Sequence, residues 1–162
     1  SGSNAQWTSI GKETAATISE AYQHYKLNNT VTTSTSIGDL TPFINYVKVD
    51  TTSIIDHLPT FNFLNCSDAN RDCLLLHNGS ILHFTNTQTF SDTSLTSALA
   101  FNLDPDGRWS GSITGNVKSG QFLLYINGRL SSRGYAQNNT YVTGSGFGPQ
   151  PIFEPTWLVW SD

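Results

Sequence analysis

The sequence predicts an α+β domain in which one N-terminal amphipathic helix packs on an antiparallel β-sheet. Three observations predict it. Apolar residues recur at helical spacing only near the N-terminus, two Asn-Gly dipeptides each lie between short aliphatic runs, and no second helical period follows the first. At 162 residues the chain has the size of one domain, with enough interior for its own core, and it contains no linker, repeat or block of like charge.

The opening "SGSNA", residues 1–5, is small and polar and reads as the remnant of an expression tag. Residues 6–162 then form a single domain, with a helix over about 7–27 and a β-rich region over 41–162. In the helix, Ile18, Ala21, Tyr22 and Tyr25 fall at i, i+3, i+4 and i+7, which makes them the helix–sheet packing set; Lys12, Glu13, Glu20 and Lys26 lie elsewhere. Trp7, Ile10 and Thr14 continue the stripe more weakly toward the N-terminus. The helix should stop at "LNNT", where Asn28 or Asn29 can turn left-handed. "TSTS" (Thr33 to Ser36) reads as an exposed loop and "INYVKV" (Ile44 to Val49) as a strand. "CLLLHNGSILHF" and "FLLYINGRL" read as tight hairpins with Asn-Gly in type I′ turns. "SALAFNLD" leads into an aspartate-rich stretch, and "PTWLVW" (Pro155 to Trp160) is a closing strand. Some five to seven antiparallel strands result.

Composition narrows the function classes. Charged residues are only 12% of the chain, while Ser, Thr and Asn supply about a third of it, so solubility comes from hydroxyls and amides. A net charge of −4 with no Lys or Arg run argues against nucleic acid and against an anionic membrane surface as partners. No window approaches the ~20 apolar residues of a membrane span. The only two cysteines, Cys66 and Cys73, bracket the short polar "CSDANRDC" and predict a local disulfide, which implies an oxidising compartment; two unpaired thiols are the alternative.

No catalytic constellation stands out, and no cofactor motif does. With Asn78-Gly79 as a two-residue turn, His77 faces Ser80 and His83 faces Leu74, so the two histidines point to opposite sides of the sheet and share no metal. His24 and His57 have no motif around them. The stretch "FNLDPDGRW" raises one metal question, because Asp104 and Asp106 match the first positions of a calcium loop. The downstream "GSITGNVKSG" holds no carboxylate to complete it. As turn chemistry the same residues need no ligand, so the expectation is a turn whose fold does not depend on calcium, with Asp104 and Asp106 kept as a weak metal candidate. Trp7, Trp109, Trp157 and Trp160 read as core aromatics, with a sugar-stacking platform as the alternative. Sequons occur at Asn28, Asn65, Asn78 and Asn138.

A helix that begins the domain abruptly, a following sheet, a disulfide and no catalytic group together resemble the soluble part of type IV pilin-like (prepilin-type) proteins, a family that includes type II secretion pseudopilins. "AATISEAYQHYKLNN" looks like the exposed half of the pilin helix. The blocks "TPFINYVKVD", "CLLLHNGSILHF", "FNLDPDGRWSG", "FLLYINGRL" with "SSRG", and "PTWLVWS", in that order, are similar to pilin-like and minor pilin proteins of cyanobacteria. The resemblance spans most of Gln6 to Asp162. It implies a non-enzymatic filament subunit whose partners are other pilin subunits and the assembly machinery, anchored in the inner membrane before assembly by an apolar helix preceding Gln6, and displayed afterwards on a cell-surface filament. The family's Gly cleavage site, Phe, Glu and apolar helix do not occur in these 162 residues. The Cys pair lies mid-chain instead of framing a C-terminal loop, so no adhesion surface is carried over. A secreted carbohydrate-binding β-rich module is the alternative, against which the long N-terminal helix speaks.

Overall fold

The computed structural model describes residues 2–57, 63–111, 119–136 and 140–141. The expectations for Pro155 to Trp160, Trp157 and Asn138 lie outside the described residues. Helix α1 (Gly2–Asn28) leads, followed by a 3-10 helix (Ile37–Phe43) and strands β1 (Tyr46–Val49), β2 (Ile54–Asp56), β3 (Phe63–Asn65), β4 (Arg71–Leu76), β5 (Ile81–Thr85), β6 (Ala98–Asp104), β7 (Ser119–Tyr125), β8 (Leu130–Ala136) and β9 (Thr140–Tyr141). Seven strands form one antiparallel sheet in the order β1-β4-β5-β6-β7-β8-β9; β2 and β3 pair separately. The fold is α+β, as the pattern of one helical period followed by short strands requires.

The helix lies on one sheet face because its apolar stripe has a matching apolar face to cover. Ile10, Ile18, Ala21 and Tyr22 are buried with Leu74, Leu76, Leu82, Phe84, Leu99, Phe101, Phe122 and Leu124, alternate residues of β4 to β7. Tyr22 Oη donates to Ile126 O at 2.6 Å, which satisfies the one polar atom of a buried ring. Burial, and next the neighbouring Tyr25, push that phenol up to about 12, so it stays a neutral donor. Tyr25 is half-buried and meets the Phe43 ring edge-on at 5.8 Å. Thr14 is buried inside the stripe and returns its hydroxyl to Ile10 O. At the helix end the Asn29 side-chain amide donates to Tyr25 O, so a side chain caps the last turn.

Four local expectations need correction or extension. The helix begins at Gly2, inside the stretch read as a tag remnant. The "TSTS" segment is only partly exposed: Thr35 is buried and accepts the Thr32 N–H, and Ser36 forms a reciprocal capping box with Asp39 that starts the 3-10 helix and seats Ile37 and Leu40 in the core. Strands β2 and β3 form an additional two-stranded unit. Most consequential, both Asn-Gly hairpins carry three-residue loops. In the first, Gly79 N–H donates to Leu76 O and Leu76 N–H to Ser80 O, with Gly79 at φ 86°; in the second, Gly128 and Arg129 do the same for Tyr125, with Gly128 at φ 89°. This is a turn closed by a glycine bulge. Each Asn serves as a side-chain cap instead of a left-handed residue: Asn78 Oδ1 accepts from Ser80 N–H, and Asn127 Oδ1 from Arg129 N–H. The register therefore moves by one residue, and His83 pairs with Cys73 while Leu74 pairs with Leu82.

Cutting Ile18 to alanine removes a fully buried side chain under the sheet and is expected to cost about 3 kcal/mol, whereas Tyr22→Phe, which loses one hydrogen bond and no packing, costs about 1 kcal/mol. Urea unfolding of the two variants checks both the values and their order.

Candidate functional site

The sheet face away from α1 carries the polar side chains. Cross-strand pairing aligns Cys73, His83, Asn102, Gln121 and Arg133 in one row over β4 to β8. Because side chains directly opposite share a face, the register dictates this row. Gln121 Nε2 donates to Asn102 Oδ1 at 3.3 Å, and Arg133 Nη2 donates to Gln121 Oε1 at 3.2 Å. Beside it, Arg71 Nη1 donates to His83 Nδ1 at 3.0 Å and Arg71 Nη2 to Thr85 Oγ1 at 3.3 Å. A cleft of about 440 Å³ opens there, lined by His57, Arg71, Thr85, Gln88, Asn102 and Gln121 among others.

His57 and His83 meet with ring centroids 5.6 Å apart. A guanidinium that stays protonated can only donate, so His83 must accept at Nδ1 and carry its proton on Nε2. Burial first, and then the neighbouring His57 and Arg71, hold His83 well below the usual imidazole range; burial and Arg71 push His57 down to about 4. The site is thus a cationic guanidinium flanked by two neutral imidazoles and by amides. Such a surface can hydrogen-bond a polar or anionic group. The sequence reading missed the pairing of His57 with His83, since the partners come from a loop and a strand 26 positions apart. It also mistook the place of His77, which sits in the hairpin loop and donates to Asn45 Oδ1 at 3.2 Å. His77 and His83 still stand apart, one exposed and one buried.

At the other end of this face the structure gathers Asp104 and Asp106. Asp104 opens the expected turn, with Gly107 N–H reaching Asp104 O and Gly107 at φ 71°, but the side-chain bond within it comes from Asp106 Oδ1, which accepts the Arg108 N–H, and not from Asp104. A side chain at Gly107 would also strike Gly79 O, at 2.8 Å, so glycine is required twice over. A third carboxylate, Asp56 at the end of β2, joins them: one oxygen from each of the three lies within 4.8 Å of the others. Asp56 N–H donates to Asp104 Oδ2, and Ser110 N–H donates to Asp56 Oδ1, both at 2.9 Å. Burial, with Asp106 next to it, keeps Asp104 well above the usual carboxylate range, and burial raises Asp56 to about 6. Nothing in the sequence singles out Asp56 or links it to a turn 48 residues on.

Cys66 and Cys73 are joined as a disulfide, with Cα atoms 5.7 Å apart. It ties the end of β3 to β4 above a small cluster of Ile55, Ile81, Leu64 and Leu75. Trp109 stacks against Phe63 at 4.8 Å, and Trp7 packs on the main core, so neither presents a free platform. Among the described residues no helix is long and apolar enough to cross a membrane. No family model, curated protein or solved structure matches the chain.

Both imidazoles resist protonation in the fold, whereas in the unfolded chain they titrate near 6.5. The unfolded state therefore binds more protons between pH 6.5 and about 4, and stability falls as pH falls through that window. Asp56 and Asp104, with raised values, act in the opposite sense, so a difference measurement is needed. Urea unfolding at pH 7 and pH 5 is expected to show that His57→Gln relieves about 2 kcal/mol of the acid loss relative to the unchanged protein.

Proposed function

We propose that this chain is the globular part of a non-enzymatic filament subunit of the type IV pilin-like class, most akin to a minor pilin. The observation that carries the reading is α1. It spans 27 residues, roughly 40 Å at helical rise, and leads directly into the domain whose sheet it covers. Its C-terminal half is fixed by Ile18, Ala21 and Tyr22; upstream, burial thins from Ile10 through the half-exposed Trp7 to the exposed Gln6. A helix that leaves its sheet in this way needs another apolar partner. The bilayer and then the packed helices of a filament would provide one in turn, through an apolar segment preceding Gln6.

Other features are consistent with display outside the cell. The disulfide suits an oxidising compartment, and the low charge suits subunits packed at high density. Partners in this reading are neighbouring subunits and the machinery that extracts them from the inner membrane. A second reading, a secreted carbohydrate-binding module, draws on the amide-lined cleft beside Arg71.

The full gene product, expressed in a host with a type IV assembly system, is expected to fractionate with membranes and with sheared surface filaments. Recovery only as a freely secreted protein contradicts the proposal. A glycan array probed with residues 1–162 separates the second reading, since retention of a defined sugar that Arg71→Ala abolishes would favour it.

A further inference from the structure

Asp104 presents a problem that its hydrogen bonds do not solve. Its side chain is wholly buried, Oδ2 is taken by the Asp56 N–H, and Oδ1 has no hydrogen-bond partner among the described residues. A buried carboxylate oxygen left alone is costly, and here it belongs to a carboxylate that stands beside two others. These are held by main chain: Asp56 Oδ1 by Ser110 N–H, and Asp106 Oδ1 by Arg108 N–H at 3.1 Å. The oxygens that converge span no more than 4.8 Å, which is the widest separation two oxygens can have while both ligate one ion at about 2.4 Å.

We propose that Asp56, Asp104 and Asp106 bind a divalent cation of the calcium class, which clamps the β2–β3 hairpin to the end of β6. The donor set is all oxygen, which suits a hard cation. Calcium fits better than magnesium, whose ligands stand at about 2.1 Å in a strict octahedron. Asp106 is exposed, so water completes the shell from that side. Three carboxylates with the remaining positions left to water imply a dissociation constant of roughly 10⁻⁴ to 10⁻³ M. The Asp104 Oδ1 gains the partner it lacks, and the ion reinforces the Asp56 N–H to Asp104 Oδ2 bond that already joins β2 to the end of β6. The Cys66–Cys73 bond fastens the same hairpin to β4 at its other end. Sequence reading asked for a carboxylate downstream of the turn; the fold supplies it from upstream. This inference is independent of the filament proposal.

The test follows thermal unfolding of the chain in EDTA, in ~5 mM calcium and in ~5 mM magnesium, with terbium emission sensitised by Trp109 as a second readout. Calcium is expected to raise the midpoint by at least ~3 °C, more than magnesium does, and to displace terbium. Asp104→Asn, which keeps the shape and removes the charge, is expected to abolish the rise and to weaken terbium binding at least tenfold. Asp106→Asn, at an exposed position, should do the same in part without touching the buried packing. The proposal is overturned if calcium gives no rise, if magnesium matches it, or if either variant responds as the unchanged chain does.

Discussion

The position of one glycine bulge decides which face of the sheet the side chains of β4 and β5 share. Gly79, at φ 86°, closes a three-residue loop and sets Leu74 opposite Leu82 and Cys73 opposite His83. Side chains alternate along a strand, so slipping β4 against β5 by one residue would turn one strand's set over. His83 would then share a face with Leu74, under the helix. The second Asn-Gly hairpin repeats the device at Gly128, and Asn78 and Asn127 cap their loops in the same way. Asn78 adds a hydrogen bond to Glu13 of α1, so the loop that sets the register is also tied to the helix.

With the register fixed, the two faces divide the labour. One face is aliphatic and aromatic from β4 to β7 and takes the helix through Ile18, Ala21 and Tyr22. Its far side carries the row from Cys73 to Arg133, the Arg71–His83–His57 group and the three carboxylates. The β2–β3 hairpin covers part of that side and is held by Ile55 in a small core, by the disulfide and by main-chain bonds from Asp56 and Trp109. At the sheet edge β1 is largely exposed, and its Lys48 and the irregularity between Tyr46 and Lys48 discourage pairing with another strand. In the proposed filament, the covered face would orient the helix and the polar side would meet solvent or neighbouring subunits.

Much of the fold was legible because it rests on local pattern. The 3.6 period gave α1 and its packing residues, and Asp104 to Gly107 form the expected turn, with Asp106 in place of Asp104 supplying its side-chain bond. The short polar spacer between Cys66 and Cys73 marked their pairing. What was not legible depends on small or distant geometry. Asn-Gly serves two hairpin types that differ by one residue in register, and only the flanking hydrogen bonds separate them. The capping box at Ser36 and Asp39 was present as S-x-x-D but hidden in a hydroxyl-rich run. Of the candidate site, Asp104 and Asp106 were visible; Asp56, His57 and Arg71 were not, since their partners come from other strands and no motif spans the gap.

The register can be measured directly. Cys73 directs its carbonyl to Asp50, at 2.8 Å, and away from β5, so it forms a non-hydrogen-bonded pair with His83, with α-carbons about 4.5 Å apart. The account predicts a strong nuclear Overhauser effect between the α-protons of Cys73 and His83. A contact of the same strength between Leu74 and His83 would place His83 on the helix face and contradict the division of the sheet on which the rest is built.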